Sequence, residues 1–387
     1  MKKNKEKNKA EQILEENMPE PKFGWGWRII YILLGISAII YIIAVISPRF
    51  ADFFNRYIAS FVRGTLAIFS NLLPFSLGEV LLILLIPAII FAVIVAVKRH
   101  CDSWKHVLYF SGKLFSSVAI MMILFVFTLG TGYHGSPLDQ KLGLEKNNVT
   151  KEELRETADI LTEIVNDLAD DIEFEHESFS VMPYSRAVMN DKLMDAYDKA
   201  RLKYDFIPKM YSRVKPVMMS ELMSYTHITG IYSYFTGEAN INIVFPDYTI
   251  PFTAAHELAH QRGIAKEDEA NFVAFLVCIE SDDPYIRYSA YASVLEYVTN
   301  AYYTADKSKD HTDYIELIRS LDIKVRYERH AYSEFFKKYK DNIAADISGA
   351  TNDIYLQSQG VSEGSVSYGM VVDLAVAYYK SLRKVPG

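Results

Sequence analysis

The sequence predicts a chain in two parts: an N-terminal α-helical membrane region with three spans, then an α+β, mainly helical, globular domain. Three observations predict this. Charge-free apolar runs at 29–47, 80–97 and 114–130 are each long enough to cross a bilayer. From residue 131 onward the composition is that of a globular domain, with charges of both signs and helical spacing of apolar residues. Within it, Ile231–Phe235 and Asn240–Val244, parted by Thr-Gly-Glu, predict two short strands of a hairpin.

Residues 1–26 are a polar tail with Lys2, Lys3, Lys5, Lys7 and Lys9 crowded at its front, expected to be disordered and cytoplasmic. Trp25, Trp27 and Arg28 mark the entry to the bilayer. The first span, 29–47, ends at Pro48. The segment 52–73 is apolar but interrupted by Asp52, Arg56 and Arg63, and the two arginines, seven apart, share a helical face. It is expected to be amphipathic, lying at the interface or re-entering the membrane. The second span, 80–97, contains Pro87, which membrane helices tolerate. Lys98, Arg99, His100 and Lys105 make a basic loop before the third span, 114–130. Basic segments stay on the cytoplasmic side. Tail and loop are therefore expected inside, and residues 131–387 outside the cell membrane. Should 52–73 cross as well, the domain faces inward.

The globular part opens with a capping-box signature, Thr150 and Glu153, before a helix to about Asp171. A second helix is expected near Asn190–Lys203, and another from Asp283-Pro284 to about Thr304, with proline in its first turn. Helices over 312–339 follow, and after the Gly- and Ser-rich break GVSEGSVSYG comes a last apolar helix.

The chemistry concentrates between Ala255 and Val277. His256-Glu257-Leu258-Ala259-His260 is an H-E-x-x-H pattern. On a helix, positions i and i+4 share a face, so both imidazoles can reach one metal ion, while Glu257 can take a proton from a water in the open coordination position. Gly263 is placed to end this helix. A third protein ligand is needed, and Glu267 and Glu269 are the candidates. Glu267 is preferred, because Ala270 and Asn271 follow on its face. Ala270 allows close helix approach, and Asn271 can hold a ligand histidine from behind.

HELAHQRG followed by EDEANFVAF resembles the gluzincin type of zincin metallopeptidase, in which a second helix carrying E-x-x-A-N supplies the third ligand. The metzincin pattern fits less well, since Lys266 stands where its third histidine belongs. The spans, GEANINI, the motif and SYGMVVDL also resemble an uncharacterised bacterial family of unknown function, with a few membrane spans and a zincin-like domain. These resemblances imply a zincin-like fold, a Zn2+ cofactor held by His256, His260 and Glu267, and hydrolysis of a peptide or protein substrate with Glu257 as general base. They also place GEANINIVF along the active cleft, where Glu238 and Asn240 would contact substrate, and offer Tyr368 or Tyr355 to stabilise an oxyanion. The alternative is an inactive zincin-fold sensor or scaffold at the membrane that binds metal without turnover.

Composition narrows the field. A net charge of -7 gives no support for nucleic acid binding. The two cysteines make no disulfide framework. Arg262, Lys266, Glu267, Asp268 and Glu269 are too many charges for a span, so the site is expected at the membrane surface and not within the bilayer.

Overall fold

A computed structural model describes residues 24–99, 104–145, 148–308, 310–340, 346, 348–350 and 368–384. Most of the polar tail, part of the basic loop, Tyr355 and most of the Gly- and Ser-rich break lie outside the described residues. The structure is mostly helical with few strands. Among the described residues, three helices are long and apolar enough to cross a membrane. These are α1 (Trp25–Ile46), α4 (Leu77–Arg99) and α5 (Trp104–Thr128). Their apolar side chains are mostly unburied within the protein. The chain divides into two compact units. The first, Met1–Ile39 with Ile83–Ile123, holds the greater part of these helices, and in it Tyr31 Oη donates to the Gly112 carbonyl.

The second unit, Ile40–Leu82 with Leu124–Gly387, contains the remaining helix ends and the whole globular part. Ser47 caps α2 (Pro48–Phe53), its hydroxyl accepting from Phe50 N–H. A π-helical stretch, Phe54–Ala59, follows, and then α3 (Ser60–Asn71). The π turn changes the expected register. Its wider turn breaks the 3.6-residue spacing, so Arg56 and Arg63 do not share an exposed face. Arg56 remains partly exposed against Asp205, while Arg63 is fully buried. Phe61, Ile68, Phe69 and Leu72 form an exposed apolar stripe on α3, opposite the buried Arg63, Ala67 and Ser70.

After a 3-10 turn at Gly130–His134 come α6 (Leu138–Leu142), α7 (Lys151–Asp170) and α8 (Arg186–Lys203). Thr150 and Glu153 form the capping box at the start of α7. A three-stranded sheet follows: β1 (Lys215–Pro216), β2 (Gly230–Ser233) and β3 (Glu238–Ile241), with α9 (Ser220–Ser224) between the first two. The order is β1-β3-β2, with β1 parallel and β2 antiparallel to β3. Helices α10 (Ile250–Gln261), α11 (Glu267–Cys278), α12 (Pro284–Ala305), α13 (Thr312–Arg319), α14 (Ile323–Lys337) and α15 (Tyr368–Lys384) complete it. Leu161 and Val165 of α7 and Val294 and Val298 of α12 are wholly or almost wholly buried in one core with α10 and α11.

Two expected substrate contacts belong instead to the scaffold. Glu238 is buried and accepts from Leu77 N–H at 3.0 Å and Gly78 N–H at 2.7 Å, the first turn of α4. There a carboxylate satisfies helix N–H groups that have no partner in their own helix. Lys215 Nζ pairs with it at 2.5 Å and also donates to the Ser70 and Phe75 carbonyls. Asn240 is likewise buried on the central strand, its amide donating to the Ile231 and Glu238 carbonyls. Removing one member of a buried ion pair strands the other, which costs about 3–5 kcal/mol. Lys215→Met should therefore lower the thermal unfolding midpoint of the purified chain clearly, and adding Glu238→Gln should recover part of the loss.

Candidate metal centre

Helix α10 is buried along nearly its whole length, including Thr253, Ala254, Leu258, Ala259 and Gln261. It is pinned from several sides. Tyr197 Oη of α8 donates to the Ala255 carbonyl at 2.6 Å, and Ser289 Oγ of α12 accepts from Phe252 N–H. Arg262, just past the helix, lies over the Tyr197 ring at 3.7 Å and donates to the Met210 carbonyl.

The helix ends in a Schellman turn. Gly263 has φ +93°, Gly263 N–H donates to the His260 carbonyl at 2.9 Å, and Ile264 N–H reaches back to Ala259 at 3.1 Å. This reversal sets the Ile264 carbonyl 2.7 Å from His260 Nδ1. With Nδ1–H donating there, the Nε2 lone pair is free for a ligand. The turn is held from outside as well. Arg63 donates to the Arg262 carbonyl at 3.1 Å, the Thr128 carbonyl at 2.6 Å, and both the side chain and backbone oxygens of Asn55. Asn55 Nδ2 in turn donates to the Gly263 carbonyl at 2.9 Å.

Four residues past Gly263, α11 begins with Glu267. Its carboxylate lies 3.2 Å from His256 Nε2 and 3.5 Å from His260 Nε2. One ligand atom from each of the three falls within 4.8 Å of the others, a grouping that could hold a metal ion. Glu269 is drawn elsewhere: it accepts from Leu138 N–H and from Lys266 Nζ. Asn271 is buried on α11, but the Ile264 carbonyl, and not Asn271, holds His260 from behind. Tyr368 opens α15.

Glu257 completes the arrangement. It is 4% exposed, and its Oε2 is buried without a hydrogen-bond partner. Gly230, at the start of edge strand β2, packs against it so closely that a Cβ there would lie 2.5 Å from Glu257 Oε1. The expected cleft strand, β3, is central, and β2 is the edge that borders Glu257. Among the residues that bear on the site, the sequence did not single out Gly230, Ile264 and Asn55, and it assigned Arg63 to the face of an amphipathic segment. Only the glycine before a β-rich run carried any local signal.

In metal-free protein these groups compensate one another's charge. Burial pushes the Glu257 carboxyl up to about 7, against the pull of both imidazoles. Burial disfavours the charged form of His260, but the Glu267 and Glu257 carboxylates and the Ile264 bond outweigh this and raise it to about 9. For Glu267, burial raises the carboxyl and the two imidazoles more than reverse it, holding it below the usual carboxylate range.

A model of one protein family, described as "Protein of unknown function (DUF3810)", matches residues 54–376. No curated protein and no solved structure matches the chain.

Two outcomes follow from this geometry. In Gly263→Ala, the added Cβ would fall onto the Arg63 guanidinium and 2.5 Å from Asn55 Oδ1, in a backbone conformation that costs an L-residue about 1–3 kcal/mol. Its thermal midpoint should drop, and divalent-cation binding measured by calorimetry should weaken with it. In protein stripped of cations, the folded state holds the His260 proton more tightly than the unfolded chain does. That stabilisation is complete below about pH 6.5 and is lost as pH rises to about 9. The thermal midpoint should fall across this range, and His260→Gln should flatten the fall.

Proposed function

We propose that this chain, which belongs to the DUF3810 family of unknown function, is a membrane-anchored zinc metallopeptidase. The observation that carries this reading is a buried, unpartnered Glu257 oxygen beside a His256–His260–Glu267 cluster. Two imidazoles and a carboxylate suit zinc. Ligands about 2.0–2.1 Å from a tetrahedral ion lie about 3.3 Å from one another, close to the 3.2 and 3.5 Å separations here.

His256, His260 and Glu267 would hold the ion. When bound, zinc supplies a Lewis acid that polarises the scissile carbonyl and acidifies water. Glu257 takes the proton of the attacking water and delivers it to the departing amine. Its burial suits that task, because desolvation makes the carboxylate a readier proton acceptor than an exposed one. Gly230 leaves room for this side chain and keeps an edge strand beside it. Metal binding alone would not call for Glu257, which favours an enzyme over a metal-binding scaffold. The basic tail and the basic loop before α5 support placing the domain outside the cytoplasm.

The test uses the full chain in detergent, reconstituted with zinc and assayed by mass spectrometry. One zinc per chain is expected, lost in His256→Ala, His260→Ala and Glu267→Ala and retained in Glu269→Ala. Absence of zinc from the parent chain would overturn the metal assignment. Glu257→Gln should keep the zinc and lose hydrolysis of a peptide library by on the order of 10²–10⁴. Undiminished turnover in that variant would remove Glu257 from the mechanism. Gly230→Ala should also keep zinc while slowing turnover, since its methyl group displaces Glu257.

A further inference from the structure

Two measures run from the metal site to the ends of the membrane-spanning helices. The first is β2. It begins at Gly230, against Glu257, and ends at Ser233, whose hydroxyl would lie 2.8 Å from a Cβ on Gly78 in the first turn of α4. The next residue, Tyr234, meets the Phe125 ring near the end of α5 at 5.6 Å. Three strand steps separate the two ends, about 10 Å at a rise of about 3.3 Å per residue. The second measure is α3. Arg63 on its buried face holds the Arg262 carbonyl, at the end of the metal helix, and the Thr128 carbonyl, the last residue of α5. On the opposite face Phe61, Ile68, Phe69 and Leu72 are exposed. A helix is about 10–12 Å across.

The apolar face of α3 therefore has one natural occupant, the bilayer surface. It lies in the chain between two helices of membrane-spanning length, and Thr128, bonded to its inner face, ends a third. Met218 and Met219, also exposed, extend the same boundary, since their N–H groups bond the Glu79 carboxylate in the first turn of α4. Taken together, these lengths put Glu257 and its partners within about 10–15 Å of the first turn of α4 and of the outer face of α3.

From this, and resting on the hydrolase reading above, we propose that the substrate is the juxtamembrane segment of a membrane-anchored polypeptide. An extended chain covers 10–15 Å in about three to five residues, so the bond cut lies that far from the anchor. Water adds to the scissile carbonyl carbon and the C–N bond breaks. Glu257 carries the proton to the amine, so one fragment stays in the membrane and the other leaves.

The experiment places the zinc-loaded full chain in phosphatidylcholine nanodiscs, where both membrane faces are open to solvent. Its probes are randomised peptide segments joined to an apolar transmembrane anchor directly, joined through a flexible spacer of about 30 residues, or carrying no anchor. A spacer of that length holds the segment about 30 Å away on average. The directly anchored segments should be cut at least about tenfold faster than the other two, because only they hold the bond at the height of the site. Equal rates for all three would overturn the juxtamembrane assignment and leave the hydrolase reading standing. Cleavage of none of them would overturn the hydrolase reading, and this inference with it.

Discussion

Arg63 lies wholly out of water, and its four hydrogen bonds go to oxygens of Asn55, Thr128 and Arg262, none of them a carboxylate. A buried guanidinium without a counter-ion is tolerated only when its donors are nearly all used. The planar fork makes that possible, because it presents five donors at fixed angles where a lysine ammonium has three. The consequence is geometric. Helix α3, the end of α5 and the turn after α10 are tied to one rigid group.

Everything at the site follows from where that turn is held. Gly263 lets the chain reverse, the reversal brings the Ile264 carbonyl to His260, and that bond orients the imidazole nitrogen facing Glu267. Glu267 arrives at the first position of the next helix, where the helix dipole favours its charge. Helix α3 is thus a support of the His256–His260–Glu267 cluster. The buried Lys215–Glu238 pair repeats the design near the C-terminal end of α3, joining the sheet to the first turn of α4.

Much of the architecture was legible in the sequence because it rests on local rules. Charge-free runs marked three helices of membrane-spanning length, the capping box at Thr150 marked the start of α7, and Gly263 marked the end of the metal helix. Polar residues on short strands were not legible. Glu238 and Asn240 lie just before and within a β-rich run ahead of the motif, and nothing local separates a substrate contact from a helix cap or a strand bond. The shared face assumed for Arg56 and Arg63 failed for a related reason. A π turn changes the register without leaving a mark in the pattern of apolar residues.

By itself the sequence determined the helical repeat that puts His256 and His260 on one face, because i and i+4 neighbours depend only on backbone geometry. It also determined which segments could enter a membrane, because that depends on length and charge. Only the tertiary structure decided that Glu267 and not Glu269 meets the imidazoles, that Gly230 borders Glu257, and that Arg63 turns inward. Those outcomes depend on contacts between residues far apart in the chain, as between Arg63 and Arg262, and such contacts exist only once the segments have packed.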